Sequence, residues 1–414
     1  MKKVLTLTTA LSVIFVSADV MAAGFHLREQ SAAAQGNAYA GATAGAEDNS
    51  FAYYNVAGLT RHKGTSFTGG ATYIAPKATA KNVRDEDGNR DADVHNVVHA
   101  AISPNFTISH QINDKLFIGF AGNSPFGMIT KYDKDWVGGD HGITSDVKTA
   151  TFTPMAAYKV TDKLSLGAGM QIQYVWAHLT SSKKPYIGSV RADGDALDLG
   201  YQLGALYEFT DTTRVGIGYR SEIKHKINGD MSASTTPAMG PYHDLLNQDI
   251  TVRLTTPAML SMGAYHDINN RWSVMAEYQR VFWSSFQHLN FVSKDGGYMI
   301  SQVNEKWRDT NFFSVGTSYM LDEQWKLRLG LGYDQSAVRY RHRTPRIPDS
   351  DRVWYTIGLG YQYSEKLAFN VGYTYIQARK ASLNTKLTQN SGKNVTAEYN
   401  NSIQALAFGF TYNF

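Results

Sequence analysis

Cysteine is absent from the chain, which removes a disulfide framework, a thiolate metal site and a cysteine nucleophile from consideration. Long apolar runs are scarce too. Beyond residue 22 no uninterrupted stretch is long enough to cross a bilayer as a helix, which argues against a helical membrane protein. Any spanning structure must then be a closed barrel, because lipid leaves no water to satisfy an open strand edge. An excess of one charge is also lacking: 40 Lys and Arg against 36 Asp and Glu leave +4, partly in the leader, with no argument for nucleic acid.

What is present follows a two-residue period. In Gln404 to Phe414, Leu406, Phe408, Phe410, Tyr412 and Phe414 share one face, and Ala405, Ala407, Gly409, Thr411 and Asn413 share the other. Such a strand suits lipid on one side and a polar lumen on the other. Its terminal Phe resembles the assembly signal of bacterial outer-membrane barrels. Met1 to Ala22 reads as a secretory leader, with Lys2 and Lys3 ahead of an apolar run and Val20-Met21-Ala22 at the cleavage site. The 25 Tyr and 36 Gly residues match interfacial aromatic belts and tightly turned strands.

Residues 23–63 do not alternate. They are rich in Ala, Gly, Ser and Asn, with short helical stretches expected around Glu29 to Gln35 and near Ala46 to Tyr53. A compact plug and a flexible periplasmic tail both fit that composition. From Thr65 onward six short polar turns (at Asn113, Thr161, Asp211, Asn269, Asp322 and Ser364) alternate with seven longer loops. Thirteen connections imply an all-β transmembrane barrel of about fourteen antiparallel strands over residues 64–414, with both termini in the periplasm.

Strand phase assigns faces. Trp325, Leu327, Leu329, Leu331 and Tyr333 point one way and Lys326, Arg328, Gly330, Gly332 and Asp334 the other. Val353, Tyr355, Ile357, Leu359 and Tyr361 oppose Arg352, Trp354, Thr356, Gly358 and Gly360 in the same manner. Lipid-facing Arg or Lys at mid-depth costs about 2 to 4 kcal/mol, so the charged face is the lumen. Continued phase puts Lys306 and Arg308 inside as well, grouping Lys306, Arg308, Asp334 and Arg352 in the outer half of neighbouring strands. That cluster is placed either to hold a ligand carboxylate or to form a structural network in which Asp334, with Asp349 or Asp351, neutralises the arginines.

At these residues the chain resembles the FadL-type transporters of long-chain fatty acids and other hydrophobic compounds. The likeness rests on Ala23-Gly24-Phe25-His26-Leu27, on Ser124-Pro125-Phe126-Gly127 with Tyr132 and Trp136, and on Trp307-Arg308-Asp309-Thr310, Tyr333-Asp334-Gln335-Ser336 and Arg346-Ile347-Pro348-Asp349-Ser350-Asp351-Arg352. It implies a fourteen-stranded barrel closed by an N-terminal hatch over residues 23–63. It also implies capture at outer loops, an internal pocket beside the N-terminus, and lateral exit at a kinked third strand. Phe25, Lys306, Arg308, Arg352 and Trp354 are thereby the ligand-contact candidates, and Asn123, Ser124, Pro125, Phe126 and Gly127 the gate. The hatch ends in Asn55, Val56 and Ala57, where the family usually has Asn-Pro-Ala.

The rival functions are a barrel enzyme and a diffusion porin. No catalytic group is assigned: His62, His141, His178, His243 and His342 have no sequence setting that ties them to a catalytic Ser or Asp. No metal or cofactor is expected. The expected partners are a long-chain fatty acid or other hydrophobic small molecule, outer-membrane lipid and lipopolysaccharide, and the barrel-assembly machinery, with the chain a monomer in the bacterial outer membrane. Deleting Phe414 is expected to slow insertion in a folding assay with that machinery; assembly as fast and complete as the intact chain would refute the terminal-strand signal.

Overall fold

A computed structural model describes residues 24–183, 187–235 and 244–414. The leader Met1 to Ala22, together with Ala23 and His243, lies outside them. The period-two segments form one closed antiparallel barrel of fourteen strands, as the turn count predicts. They are β1 (Thr65–Asp85), β2 (Val94–His95 and Ala101–Gln111), β3 (Leu116–Asn123 and Gly127–Lys131), β4 (Thr144–Lys159), β5 (Leu164–Lys183), β6 (Ile187–Thr210) and β7 (Thr213–Arg220 and Ile223–Thr235). The second half comprises β8 (Gln248–Thr256 and Met259–Asp267), β9 (Trp272–Val281 and His288–Ser293), β10 (Met299–Asn304 and Thr310–Met320), β11 (Trp325–Asp334), β12 (Arg352–Gln362), β13 (Leu367–Ala378 and Ala381–Asn384) and β14 (Val395–Asn413). Pairing of β1 with β14, from Ser66 opposite Asn413 to Asp85 opposite Val395, closes the sheet and leaves no long edge.

The predicted faces hold in the closing strands. Leu406 and Phe408 are exposed outward while Ala405 and Ala407 are buried inward, and Leu329, Leu331, Tyr355 and Ile357 face out opposite buried Arg328, Asp334, Arg352 and Trp354.

The 24–63 segment fills the lumen. It carries α1 (Ala32–Gly36), α2 (Ala42–Gly45) and two 3-10 turns, Asn49–Tyr53 and Val56–Arg61. These pieces are too short to satisfy their own backbone, so the barrel wall does it. Gln35 donates to the carbonyls of Gly372 and Ala405 (3.2 and 3.1 Å), Asn37 to that of Thr317 (2.8 Å) and Asn49 to that of Ser66 (2.8 Å). In return Arg214 of β7 donates to the carbonyls of Ala44 and Gly45 (2.9 and 2.7 Å), and Glu277 of β9 accepts from the amide and hydroxyl of Thr43. The Asn-rich, small-residue composition is therefore that of a plug whose side chains cap a wall and whose backbone is capped by it.

Close approach sets the seat. A Cβ at the lumen-facing Gly216 would overlap the carbonyl of Thr43, and one at Gly330 the backbone of Asn37. Asn55 caps the last turn: its Oδ1 accepts from Ala57 N at 3.0 Å while its Nδ2 donates to the carbonyls of Thr43 and Ala205. Val56 occupies the first position of that turn, where proline is favoured because no intrahelical N–H bond is needed. Valine keeps the geometry for that reason, and its buried side chain packs with Leu59 and Phe117.

Overpacking of this kind costs about 1 to 3 kcal/mol per site. The pair Gly216→Val and Gly330→Val is expected to leave the barrel assembled but unseat the hatch, raising steady conductance in a planar bilayer; conductance equal to the unaltered protein would contradict this seating.

Candidate ligand pocket and wall break

The break predicted at Asn123-Ser124-Pro125-Phe126-Gly127 is present, and the hatch occupies it. Pro125 has no N–H to donate and Gly127 restarts the strand, so β3 is interrupted between Asn123 and Gly127. On one side Thr149 of β4 still holds it: its Oγ1 accepts from Phe126 N (3.0 Å) and donates to Phe126 O (2.8 Å). Toward the lumen the N-terminal segment takes the place of a strand. Leu27 N–H donates to Pro125 O at 2.8 Å and Gly127 N–H to Phe25 O at 2.9 Å. Gln30 completes the seam, donating to Ser124 O (2.9 Å) and accepting from Asn123 Nδ2 (3.2 Å).

Toward β2 the ladder is open. β3 pairs with β2 from Phe106–Gly122 to Gln111–Phe117 and again by a bridge of Val98 with Thr130. Between these, Ala101 to Asn105 pair with β1 only, among the described residues.

Phe25 lies 2% exposed at the centre of an aromatic cluster, with ring centroids 4.8 Å from Trp283, 5.7 Å from Trp307, 5.8 Å from Phe126 and 5.9 Å from Phe286. Gly24 is required beside it, since φ is +68° and a Cβ would strike Trp307 and Trp283. Above Phe25 sits an apolar internal pocket, lined by Met128, Val147, Ile227, Ile250, Val252, Leu254 and Ile347, with a residual cavity of about 60 Å³. It shares Leu179, Ala192, Leu289, Phe291 and Arg346 with an outer vestibule of about 320 Å³ lined also by His141, Leu245, Leu246 and Ile300. A larger concavity of about 860 Å³ lies along outward-facing Val215, Ile217, Met262 and Val315 of the wall.

Three charged groups border the internal pocket: Asp193, which meets His178 and Arg191, and two outside the strands, Arg346 and Glu305. Arg346, on the loop between β11 and β12, donates to the carbonyls of Thr144 (2.9 Å) and Thr180 (3.2 Å) and to Ser145 Oγ (2.8 Å). Burial lowers its pKa to about 10, still cationic at neutral pH, with the nearby Glu305 opposing the shift. Glu305 accepts from Trp307 Nε1 at 3.0 Å. Neither was singled out as a contact from sequence, because a loop residue has no strand phase to place it.

The predicted contacts divide. Phe25 lines the pocket. Arg352 and Trp354 face inward but meet the hatch: Arg352 lies 3.2 Å from Asp334 and 3.7 Å from Asp349, and the Trp354 ring packs on Tyr39 and Phe312. Arg28 completes a buried network, 3.0 Å from the same Asp334 oxygen and 4.2 Å above the Phe312 ring, while Gly24 N donates to Asp349 Oδ2 at 3.1 Å. Lys306 and Arg308 do not share in it. Lys306 takes φ of +45° and residues 305–309 leave the strand, which inverts the phase. Glu305 and Trp307 are consequently buried, and Arg308, half-exposed, lies 3.8 Å from Asp351, a partner of the outward Tyr333. The inward placement expected for Lys306 and Arg308 is corrected accordingly.

Of the histidines, His178 meets Asp193 (2.6 Å) and His225 meets Asp198 (3.0 Å). No group of three or more His, Asp or Glu suited to a metal occurs among the described residues.

The family model described as "Outer membrane protein transport protein (OMPP1/FadL/TodX)" matches residues 13–414. The chain belongs to the FadL/TodX family. It is an outer-membrane transport protein and not an enzyme. Among its relatives, the long-chain fatty acid transport protein of Escherichia coli O6:H1 is 28% identical, covering 98% of this chain and 97% of its own. Outer membrane protein P1 of Haemophilus influenzae is 26% identical over the whole of both chains. The fold matches the crystal structure of a Pseudomonas aeruginosa FadL homologue with a TM-score of 0.86 (24% identity, 95% of this chain and 100% of that one). It matches the Ralstonia pickettii toluene transporter TbuX at 0.65 (21% identity, 89% and 94%).

In this family member the docking of the N-terminus depends on charge balance. Removing one partner from a buried ion network costs about 3 to 5 kcal/mol, and each 1.4 kcal/mol is tenfold in an equilibrium. Asp334→Asn is thus expected to speed amide exchange across residues 25–30 by roughly two orders of magnitude, read by hydrogen exchange and mass spectrometry. Unchanged exchange there would show that Arg28 does not hold the segment.

Proposed function

We propose that this protein carries long-chain fatty acids or similar apolar acids across the outer membrane, by a route from the outer vestibule to the internal pocket and then sideways through the wall. The carrying observation is continuity. Vestibule and pocket share five lining residues, Phe25 lines the pocket, and the Phe25 carbonyl and the Leu27 amide that follows are bonded to the break in β3. Ligand filling a 60 Å³ remnant must displace Phe25, and moving Phe25 strains the bonds of Leu27 and Gly127 that fill the wall. A hatch that yields there exposes Ala101 to Asn105 of β2, which have no partner on that side. Exit through the break delivers the molecule to lipid and avoids exposing apolar surface to water, a cost of about 25 cal/mol per Å².

Arg346 supports an acidic ligand. Its two terminal nitrogens bond neutral oxygens, and burial pushes the pKa of the nearby Glu305 up to about 7, which weakens that carboxyl as a counter-ion and leaves the Arg346 cation able to attract a carboxylate entering the largely apolar pocket. The lookalike toluene transporters raise the alternative of uncharged hydrocarbons. A diffusion porin is disfavoured by the hatch seated in the lumen.

Arg346→Gln is expected to weaken binding of a long-chain fatty acid about tenfold or more, the order of one charge-assisted hydrogen bond, while binding of the alkane of equal length changes little. Equal losses for both, measured by calorimetry in detergent, would favour an uncharged substrate. Uptake by Pro125→Ala with Gly127→Val is expected to fall severalfold as the strand regularises; full uptake would remove the wall break from the route.

A further inference from the structure

A basic tier stands on the outer surface of β7 and β8, on the opposite side of the wall from the pocket-lining Ile227, Val252 and Leu254. Along β7 the outward row runs Val215, Ile217 and Tyr219, bends at Ser221, and then changes to Lys224, Lys226 and Asn228. The β8 row changes likewise, from Met262 and Leu260 to Thr255 and Arg253. Tyr219 pairs with outward Tyr201 of β6, ring centroids 6.0 Å apart. The β6 row stays apolar for two more outward positions, Leu199 and Leu197, before Asp195, whereas on β7 the aromatic Tyr219 ends the apolar row as an interfacial residue does, so the cations of β7 and β8 begin where the apolar rows of their own strands end.

Register makes this tier unusual. Lys226 lies directly opposite Arg253, and Lys224, opposite Thr255, is diagonal to Arg253. Like charges directly opposite on neighbouring strands are destabilising. Neither Lys226 nor Arg253 has an ion-pair partner among the described residues, whereas Lys224, 78% exposed, has Glu222 at 3.1 Å. The carboxylates of the next tier, Asp230 opposite Asp249, lie two rungs farther out, and Asp249 is taken by Lys294 at 3.3 Å. Outward Asp195 of β6, opposite Asn228, is diagonal to Lys226, so three cations have two carboxylates beside them, and the remaining positive charge, flush against an apolar wall, suits an anion that also has acyl chains.

We infer that Lys224, Lys226 and Arg253 form a docking site for the phosphorylated headgroup of an outer-leaflet glycolipid, its acyl chains lying on Ile217, Tyr219 and Met262. The phosphate bridges the opposed Lys226 and Arg253 and so relieves their repulsion. Lysine stems lie along the wall and their ammonium groups reach the headgroup plane.

The test uses the intact barrel in detergent, titrated by native mass spectrometry with bisphosphorylated lipid A and with its dephosphorylated form. The unaltered protein is expected to bind the phosphorylated lipid at least about tenfold tighter, and the triple variant Lys224→Gln, Lys226→Gln, Arg253→Gln to lose that preference. Arg253→Lys, which keeps the charge, is expected to retain it. Equal binding of both lipids by the unaltered protein, or full preference in the triple variant, would overturn the assignment. Should the triple variant fail to assemble, Lys226→Gln alone reads the same contrast with two cations left in place.

Discussion

Two backbone hydrogen bonds, from Leu27 to Pro125 and from Gly127 to Phe25, join the plug of this barrel to its wall. They exist because a proline cannot donate and because a membrane supplies no water to a broken ladder. The barrel therefore has a place where its own wall is incomplete and where the N-terminal segment makes up the difference. Around that place lie the aromatic cluster holding Phe25, the apolar pocket above it and the open edge of β2.

The rest of the hatch is held in a different way. From Gly36 to Ala57 its backbone lies against lumen-facing glycines and is tied to the wall by Gln35, Asn37, Asn49 and Asn55 from one side and Arg214 and Glu277 from the other. Steric fit and many neutral hydrogen bonds make that part rigid, since each broken bond would strand a buried polar group. The first residues add charged contacts, Arg28 with Asp334 and the Gly24 amide with Asp349, to the neutral bonds of Phe25, Leu27 and Gln30 along the break, as Glu47 does farther on with Lys326 and Arg328.

The external surface obeys the same physics in reverse. Outward residues of β6, β7 and β8 are apolar over part of each strand and polar or charged beyond it, the change falling after Leu197 on β6, after Tyr219 on β7 and after Leu260 on β8. Depth in the membrane is written along a strand as residue type, which is why a basic tier on two neighbouring strands carries positional meaning that the same residues on a loop would lack.

Periodicity alone determined the class of this fold, its thirteen connections, its closing strand and the inward faces of β11 and β12, because alternation is a local property and lipid penalises its violation. Composition alone marked residues 23–63 as different, while the break at Asn123 to Gly127 was legible through the family resemblance together with the backbone limits of Pro125 and Gly127. Only the tertiary structure decided what met at the break. Phase failed where a positive φ at Lys306 inverted the faces, sending Arg308 outward and Trp307 inward. It was silent on Arg346, whose loop folds back into the lumen. A ligand pocket is built by groups distant in the chain converging on one space, and that convergence depends on closure of the barrel, which no local pattern contains.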